Sequence, residues 1–235
     1  MKFSVLEHII SEERLQRYLL ACNGNKAMAL ALYRINIKIS LEMFGVVGAF
    51  EVALRNAIDK VMTANFGGDW LRDAILPGGI FDIPACREHA RIIRSAYEKL
   101  SKKGKYSHGH LIAQMEFGIW KYMFSSPQFR AANRVLLSTF PNKPISTSSI
   151  QYNNTYIFNE LHHVNSLRNR IAHHEPICFT TGSAIITTTY IRYIYDKIMI
   201  LFNWLDINGA DYLRGIEHVK CMCDRLDLLI NRSLN

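Results

Sequence analysis

The stretch Phe44–Val61, FGVVGAFEVALRNAIDKV, places apolar side chains three and four residues apart. This spacing puts them on one face of an α-helix, where they can pack against the rest of the protein. The position missing from the series is Glu51, and an ionised carboxylate on a packed face is costly unless it is paired. Arg55 follows one turn later, but an exposed helical ion pair contributes only a few tenths of a kcal/mol. The stretch therefore predicts a largely buried helix with one charge on its packing face. The apolar series is Phe44, Val47, Leu54, Ile58 and Val61.

Helical spacing continues along most of the chain, and strand-like alternation is weak. We expect an all-α bundle that forms one domain over residues 1–235, with loop insertions at about 67–84 and 140–147. The long helix over 26–66 is expected to bend or break near Ile39-Ser40. The threonines of Ile185–Tyr190 leave helix and strand both open there. The other expected helices run from Ser11 to about Cys22 and over about 85–102, 108–124, 127–139, 148–172, 183–205 and 209–231.

The composition is that of a folded, positively charged protein. The 235 residues include 28 Lys and Arg against 20 Asp and Glu, so the formal net charge is +8. An apolar fraction of 49% excludes a wholly disordered chain. A positive field favours polyanionic partners, which are nucleic acid or an anionic membrane surface.

Cysteine usage and hydropathy narrow the class of protein further. The five cysteines are odd in number and lack CxxC spacing, so they indicate neither a disulfide framework nor a zinc site. Glu7, Glu12 and Glu13 interrupt the region where a signal peptide needs an apolar run. No stretch reaches the ~18 apolar residues of a membrane span, and the basic residues are scattered rather than gathered on one amphipathic face. We expect a cytoplasmic protein with reduced cysteines and no membrane partner.

The helix expected at 148–172 also carries a charge within an apolar series. The charge is Arg168, opposite in sign to Glu51. Either the two helices meet through these charges, or both charges line a cavity that faces a ligand. In the alternative interpretation, Arg168 extends along its methylene stem to solvent. The interrupted series is Ile157, Leu161, Val164 and Ile171.

The segment Leu167–Pro176, LRNRIAHHEP, at the end of this helix concentrates side chains that can bind a ligand or transfer a proton. Its proline disfavours the helical state of the preceding residue, so we expect the helix to end around His173 or His174. A guanidinium and two imidazoles then lie at a helix end beside a loop, where functional residues are common. His162 and His163 lie about three turns earlier, too far along the axis for one metal to bind both histidine pairs. We therefore expect no metal site.

Arginine and histidine together suit RNA cleavage without a metal. RNA supplies its own nucleophile, the 2′-hydroxyl, and cleavage needs a base, an acid and a cation beside the phosphorane. Histidine has the right pKa for the first two tasks, and arginine is a permanent, forked donor for the third. His173 follows Arg168 by five residues, although this spacing alone is weakly specific.

Five blocks of the chain give a more specific indication than the spacing. Leu167–Pro176 resembles the signature of the Abi-like proteins of bacterial abortive-infection systems, of the AbiD/AbiF type. These proteins belong to the HEPN superfamily of all-α proteins, many of which are ribonucleases. Further blocks that resemble the family follow its order along the chain, and they are Ser11–Leu19, Leu32–Asn36, Phe50–Ile58 and Glu116–Trp120.

The resemblance implies a HEPN-like helical bundle with additional helices and an active site that needs no metal or other cofactor. The HEPN motif is Arg, a polar residue, three variable residues and His, which here are Arg168, Asn169 and His173. Asn169 would orient the histidine or the arginine. In active members, the Arg and His of two protomers face one another across a dimer and form a composite site. The products carry a 2′,3′-cyclic phosphate and a 5′-hydroxyl.

Other residues are expected to support this site. Glu51 falls where HEPN proteins often place an acidic residue, and Arg55 is a second supporting candidate beside it. His174 offers another imidazole, so either histidine of the doublet could transfer the proton, and spacing favours His173. Glu175 is a further candidate, although it could equally bond a neighbouring backbone group or arginine.

Basic residues outside this set are candidates for RNA contacts. A lysine-rich turn with tyrosines nearby could follow a phosphate backbone, although such a run is more often a solvated turn. Trp120 and Tyr122 are expected in the core rather than as stacking platforms. The candidates for RNA contact are Lys102, Lys103 and Lys105, with Tyr97 and Tyr106 interleaved, and Arg170 in the motif.

Two functions are compatible with these observations. The first is a metal-independent RNA endonuclease of an abortive-infection or toxin–antitoxin system, active as a homodimer and restrained by a protein or RNA inhibitor. The alternative is a non-catalytic HEPN module that binds RNA, a nucleotide or a partner protein. The pair Arg168 and His173 favours the first function, because a binding module has no need of a titrating histidine.

Overall fold

The computed structural model describes residues 3–233, and within that range the chain forms twelve α-helices, two short 3-10 helices and no β-strand. The prediction of an all-α fold is therefore confirmed. The α-helices are α1 Phe3–Ile10, α2 Glu12–Ala21, α3 Lys26–Phe66, α4 Trp70–Asp73, α5 Arg87–Lys102, α6 His108–Gln114, α7 Phe117–Tyr122, α8 Ser126–Ala131, α9 Asn154–Ala172, α10 Thr189–Trp204, α11 Gly209–Tyr212 and α12 Val219–Ser233. The 3-10 helices are Pro84–Cys86 and Val135–Thr139.

The chain divides into two compact units. Within the described range, the first comprises the chain up to Gly48, Ser166–Ile198 and the chain from Leu213 onward. The second comprises Ala49–Asn165 and Met199–Tyr212. The expectation of a single domain over 1–235 stays a prediction. None of the helices within residues 3–233 is both long enough and apolar enough to cross a bilayer.

Local capping signals explain where α2 begins and ends. The Ser11 hydroxyl accepts a hydrogen bond from the Arg14 N–H at 3.5 Å, and two glutamates in the first turn complement the helix dipole. At the other end Asn23 adopts a left-handed conformation, with φ of 50°. The Gly24 N–H then donates to the Leu19 carbonyl at 2.8 Å, which closes a Schellman motif. Both ends were predicted from sequence and are confirmed.

Helix α3 is one continuous helix of 41 residues, so the break expected near Ile39-Ser40 is wrong, and the bend expected as its alternative stays a prediction. Ile39 is fully buried and stands in a regular series of buried positions that continues through this point. Because packing is uninterrupted there, nothing favours a break. The helix ends at Phe66, as predicted, and is followed by Gly67, whose φ of 94° suits glycine. The buried series includes Ala29, Leu32, Asn36, Ile39, Met43, Val47, Phe50, Leu54, Ile58 and Met62.

The same series corrects the predicted packing face of α3. Phe50 is fully buried, whereas Glu51 beside it is half-buried and Phe44 is 48% exposed. Glu51 therefore lies next to the buried stripe rather than within it. The sequence allowed this error because Phe50, Val52 and Ala53 are also apolar, which leaves the phase of the stripe undefined.

Several other predicted helices are interrupted or shorter than expected. The helix predicted over 108–124 is divided after Gln114, and the one over 127–139 is divided where Asn133 and Arg134 adopt left-handed conformations. The helix predicted over 209–231 is divided between Tyr212 and Val219. The predicted insertion at 67–84 contains the short helix α4, and 140–147 contains no helix. In the segment left open at 185–190, Ile186 forms an isolated antiparallel bridge with Phe179 before α10 begins at Thr189.

Each unit has its own aromatic core. In the first unit, Tyr18 packs edge-on against Phe179, with ring centroids 5.2 Å apart. In the second unit, Phe50 packs edge-on against Phe202 at 5.3 Å. Trp120 is fully buried, as predicted, whereas Tyr122 is 47% exposed, so its predicted core position is wrong. Tyr122 is the last residue of the short helix α7 and lies on its exposed side.

Candidate active site

Arg168 and His173 lie at the C-terminal end of α9 and belong to the first unit. Arg168 is half-buried beside Leu167 and Ile171, which are both buried. Its guanidinium makes no hydrogen bond or ion pair with any residue whose side chain the structure describes. His173 is exposed, and its imidazole has no partner among the described residues either. A guanidinium and an imidazole that have no partner among the described residues therefore stand at one helix end, where a ligand can reach them.

The helix ends in a Schellman motif centred on the histidine doublet. The His173 N–H still donates to the Asn169 carbonyl at 2.9 Å, so His173 is the capping residue. His174 follows with φ of 57°, and the Glu175 N–H donates to the Arg170 carbonyl at 2.8 Å. Glycine usually occupies the left-handed position, because a Cβ there is strained. The predicted end of the helix is confirmed, and His174 has a structural role that the sequence did not show.

The guanidinium of Arg170 stabilises this turn. Its Nη2 donates to the Pro176 carbonyl at 2.6 Å, and its Nε lies 3.7 Å from a carboxylate oxygen of Glu175. Its centre also stands 5.6 Å from the ring centroid of Tyr190. The alternative in which Glu175 bonds a nearby arginine is therefore the one observed, while the RNA contact predicted for Arg170 stays a prediction.

Residues from α2 and α3 hold the segment that follows the motif. Asn36 is buried, and its Oδ1 accepts hydrogen bonds from the N–H groups of Ile177 at 2.9 Å and Cys178 at 3.3 Å. Arg17 donates through Nε to the Ser183 carbonyl at 2.8 Å, with its guanidinium over the ring of Phe179. These contacts set the course of the loop as it leaves the Arg168–His173 motif.

Arg14 is a second cation at the same helix end. Its Nη1 lies 3.5 Å from the His174 carbonyl oxygen, and the residue is exposed. Sequence analysis assigned no site role to Arg14, Arg17 or Asn36. All three lie inside the blocks that resemble the Abi-like family, which is the signal that could have found them.

Of the remaining candidates, Glu51 and Arg55 lie in the second unit, and Asn169 contacts His173 through its backbone carbonyl. Glu51 and Arg55 belong to the second unit and are half-buried, and the Arg55 Nε is buried without a hydrogen-bond partner among the described residues. The pairing of Glu51 with Arg168 therefore stays a prediction. Asn169 is exposed on α9.

The lysine-rich turn is exposed at Lys102, Lys103 and Lys105. The tyrosines beside it pack on one another, with the rings of Tyr97 and Tyr106 edge-on at 5.2 Å. The Tyr106 hydroxyl also donates to Asp69 at 2.6 Å. These contacts show that the two rings are engaged within the second unit, and the RNA contact of the lysines stays a prediction.

No group of three His, Cys, Asp or Glu side chains with a geometry suited to a metal ion is found in the described part of the chain. The five cysteines are free thiols, of which Cys221 is exposed and the others are buried.

A cavity that sequence analysis did not anticipate lies within the second unit. Its volume is about 970 Å³, and its walls come from α5, α7, α8 and the residues around them. His89 lines this cavity, is 5% exposed, and has a buried Nε2 without a hydrogen-bond partner in the described residues. Its ring packs edge-on against Phe81 at 4.9 Å, and burial lowers the pKa of the imidazole to about 4. A buried histidine of this kind gives no local pattern in a sequence.

The structure thus shows an all-α chain with an arginine–histidine motif at the end of a long helix. A family model described as Abi-like protein matches residues 8–178, which includes α2, α3 and the whole motif. The chain therefore belongs to the Abi-like protein family, and this membership suggests a role in abortive-infection defence. No curated protein and no solved structure matches the chain.

Proposed function

We propose that this chain is a metal-independent RNA endonuclease of the HEPN type, acting in an abortive-infection or toxin–antitoxin defence system. The observation that carries the proposal is the end of α9. There the guanidinium of Arg168, which has no partner among the described residues, and the exposed imidazole of His173 lie within two turns of one another. Membership of the Abi-like family supports the defence role.

The chemistry follows from the two side chains. The neutral imidazole of His173 takes the proton of the ribose 2′-hydroxyl, and the resulting oxyanion attacks the adjacent phosphorus. The forked guanidinium of Arg168 donates to the non-bridging oxygens as negative charge develops in the transition state. The bond from phosphorus to the 5′-oxygen breaks, and an imidazolium protonates the leaving oxygen. The products are a 2′,3′-cyclic phosphate and a 5′-hydroxyl end.

Helix geometry favours a site shared between two chains. Arg168 lies on α9, and His173, five residues later, caps it. In helical geometry they lie about 7.5 Å apart along the axis and about 140° apart around it. One chain therefore presents its arginine and its histidine in different directions. A two-fold axis brings a second set to the same phosphate and supplies both an acid and a base. We therefore propose a homodimer with a composite site.

The supporting residues have defined tasks in this proposal. Asn169 orients His173 or Arg168, and Glu51, with Arg55, supplies a carboxylate to the site. His174 and Glu175 form the cap that positions His173. No cofactor is needed, and RNA is the substrate of a cytoplasmic enzyme that a protein or RNA inhibitor restrains.

The direct test is incubation of the purified protein with total RNA in EDTA, followed by analysis of the product ends. We expect cyclic phosphate and 5′-hydroxyl ends from the wild type. Arg168→Ala and His173→Ala should each lower the cleavage rate by about 10²–10³-fold, because each removes one group that acts on the transition state. Asn56→Ala, at an exposed position of α3, is the matched control.

Circular dichroism should show unchanged folding of both variants, since neither side chain makes a polar contact with the side chains and backbone that the structure describes. A wild type that binds RNA without cleaving it would instead establish the non-catalytic module. Variants that still cleave would show that the active site lies elsewhere.

A further inference from the structure

Lys121 is a buried cation that has no anionic partner in the described part of the chain. It lies on α7 in the second unit and is only 5% exposed. Its ammonium makes no hydrogen bond or ion pair with the residues that the structure describes. Its Nζ stands 4.3 Å from the ring centroid of Tyr122 and 5.3 Å from that of Phe158.

These contacts compensate for burial only in part. A lysine is rarely buried unless it is paired, because the ammonium loses its hydration. Cation–π attraction to the aromatic faces offsets part of the free energy that the ammonium loses with its hydration. Burial also lowers the pKa of Lys121, as expected for an ammonium in an apolar environment. The residue therefore destabilises the fold relative to an apolar side chain of similar size, and a bound anion would offset that cost.

The neighbouring groups are also potential donors to an anion. The His162 ring lies nearly parallel to that of Phe158, with the centroids 6.5 Å apart and the planes at 16°. Partial desolvation, the Lys121 ammonium and His163 all lower the pKa of His162. The basic groups in this cluster are thus Lys121, His162 and His163, and both histidines are exposed.

We propose that Lys121, with His162 beside it, binds a backbone phosphate of the RNA, at a point separate from the phosphate that is cleaved. The proposal rests on the proposed function, because it takes RNA as the ligand. The ammonium and the imidazole would donate to the phosphate oxygens, as in other contacts between proteins and the nucleic-acid backbone. The exposed ring of Tyr122 offers a face on which an unpaired base can stack.

The test measures binding rather than cleavage. A labelled single-stranded oligonucleotide with 2′-O-methyl groups cannot be cleaved through its 2′-oxygen, and its affinity is followed by fluorescence anisotropy over a range of salt concentrations. For Lys121→Met we expect the salt slope of the affinity to fall by about 0.7, which corresponds to about fivefold weaker binding at about 0.1 M salt. Lys60→Met removes an exposed lysine of the same unit and is the matched control, with less than a twofold effect expected.

Thermal stability separates binding from a structural role. Lys121→Met should raise the melting temperature, because it replaces a buried charge with an apolar chain of similar length. A variant with an unchanged salt slope, equal to that of Lys60→Met, would overturn the proposal. Cleavage of unmodified RNA by the wild type is measured separately, so failure of the nuclease proposal would not be confused with failure of this site.

A second measurement covers the case in which Lys121→Met does not fold. The imidazole NMR signals of wild-type His162, assigned with His162→Gln, are followed as inorganic phosphate or the 2′-O-methyl oligonucleotide is added. We expect the oligonucleotide to shift these signals, and Lys121→Gln to reduce the shift. A shift with inorganic phosphate alone would overturn the assignment to RNA. No shift with either probe would overturn the site.

Discussion

The side-chain oxygen of Asn36 accepts a hydrogen bond from the backbone N–H of Ile177 at 2.9 Å, across 141 positions of sequence. The neighbouring N–H of Cys178 donates to the same oxygen at 3.3 Å. Both partners are buried, so no water can replace the acceptor. This contact holds the segment after the histidine doublet to α3, and it explains why an asparagine stands within the buried stripe of that helix.

Loss of the Asn36 acceptor should therefore destabilise the protein. Asn36→Ala leaves two buried N–H groups without a partner, and we expect the free energy of unfolding to fall by about 2–4 kcal/mol. Urea unfolding followed by circular dichroism measures this change. Asn56→Ala, at an exposed position on the same helix, should change stability by less than about 0.5 kcal/mol. Equal stabilities of the two variants would show that the Asn36 contact contributes nothing.

The left-handed conformation of His174 predicts that a substitution at this position stabilises the protein. Glycine adopts φ near 57° without strain, so His174→Gly should raise the free energy of unfolding by up to about 1 kcal/mol. Cleavage should fall far less in this variant than in His173→Ala, because the Schellman motif is retained. Loss of cleavage in a stabilised His174→Gly protein would instead identify His174 as the group that transfers the proton.

A composite site predicts that an inactive chain abolishes the activity of the wild-type chain with which it pairs. If each site needs the histidines of both protomers, a nine-fold excess of His173→Ala chains leaves about a tenth of wild-type chains paired with each other. The cleavage rate per wild-type chain should then fall about tenfold after subunit exchange. An excess of Lys60→Met chains is the control and should cause no such loss. Activity proportional to the amount of wild-type protein alone would contradict the shared site.

Burial of His89 predicts a loss of stability in acid. Its pKa lies at about 4 in the folded protein, below the ordinary value of 6.5, so the unfolded chain takes up a proton between these values and the folded chain does not. The stability that the folded protein gains from a neutral His89 is complete above pH 6.5. It is lost as the pH falls toward 4, and the loss amounts to about 3 kcal/mol in total. Chemical unfolding at a series of pH values measures this loss.

The contribution of His89 is isolated by substitution. His89→Leu cannot take up a proton, so its stability should change less between pH 6.5 and 4 than that of the wild type. His8→Gln removes an exposed histidine and should leave the wild-type dependence unchanged. If the free energy of unfolding of His89→Leu depends on pH as strongly as that of the wild type, other groups cause the loss.

Much of the fold follows from signals that act within one or two turns of the chain. Ser11 and the Asn23-Gly24 pair set the ends of α2, and the proline at 176 sets the end of α9. The sequence alone was sufficient for these boundaries, for the all-α class and for the position of the Arg168–His173 motif, because caps and motifs depend on neighbouring residues.

Only the tertiary structure decided which of several apolar faces is buried and which distant groups meet. The phase of the α3 stripe, which excludes Glu51, depends on what packs against Phe50. The contacts of Asn36 with Ile177 and of Lys121 with Phe158 join residues far apart in sequence, so no local pattern encodes them. Burial is a property of the assembled chain, and the desolvation that distinguishes Lys121 and His89 from other lysines and histidines arises only when that chain is folded.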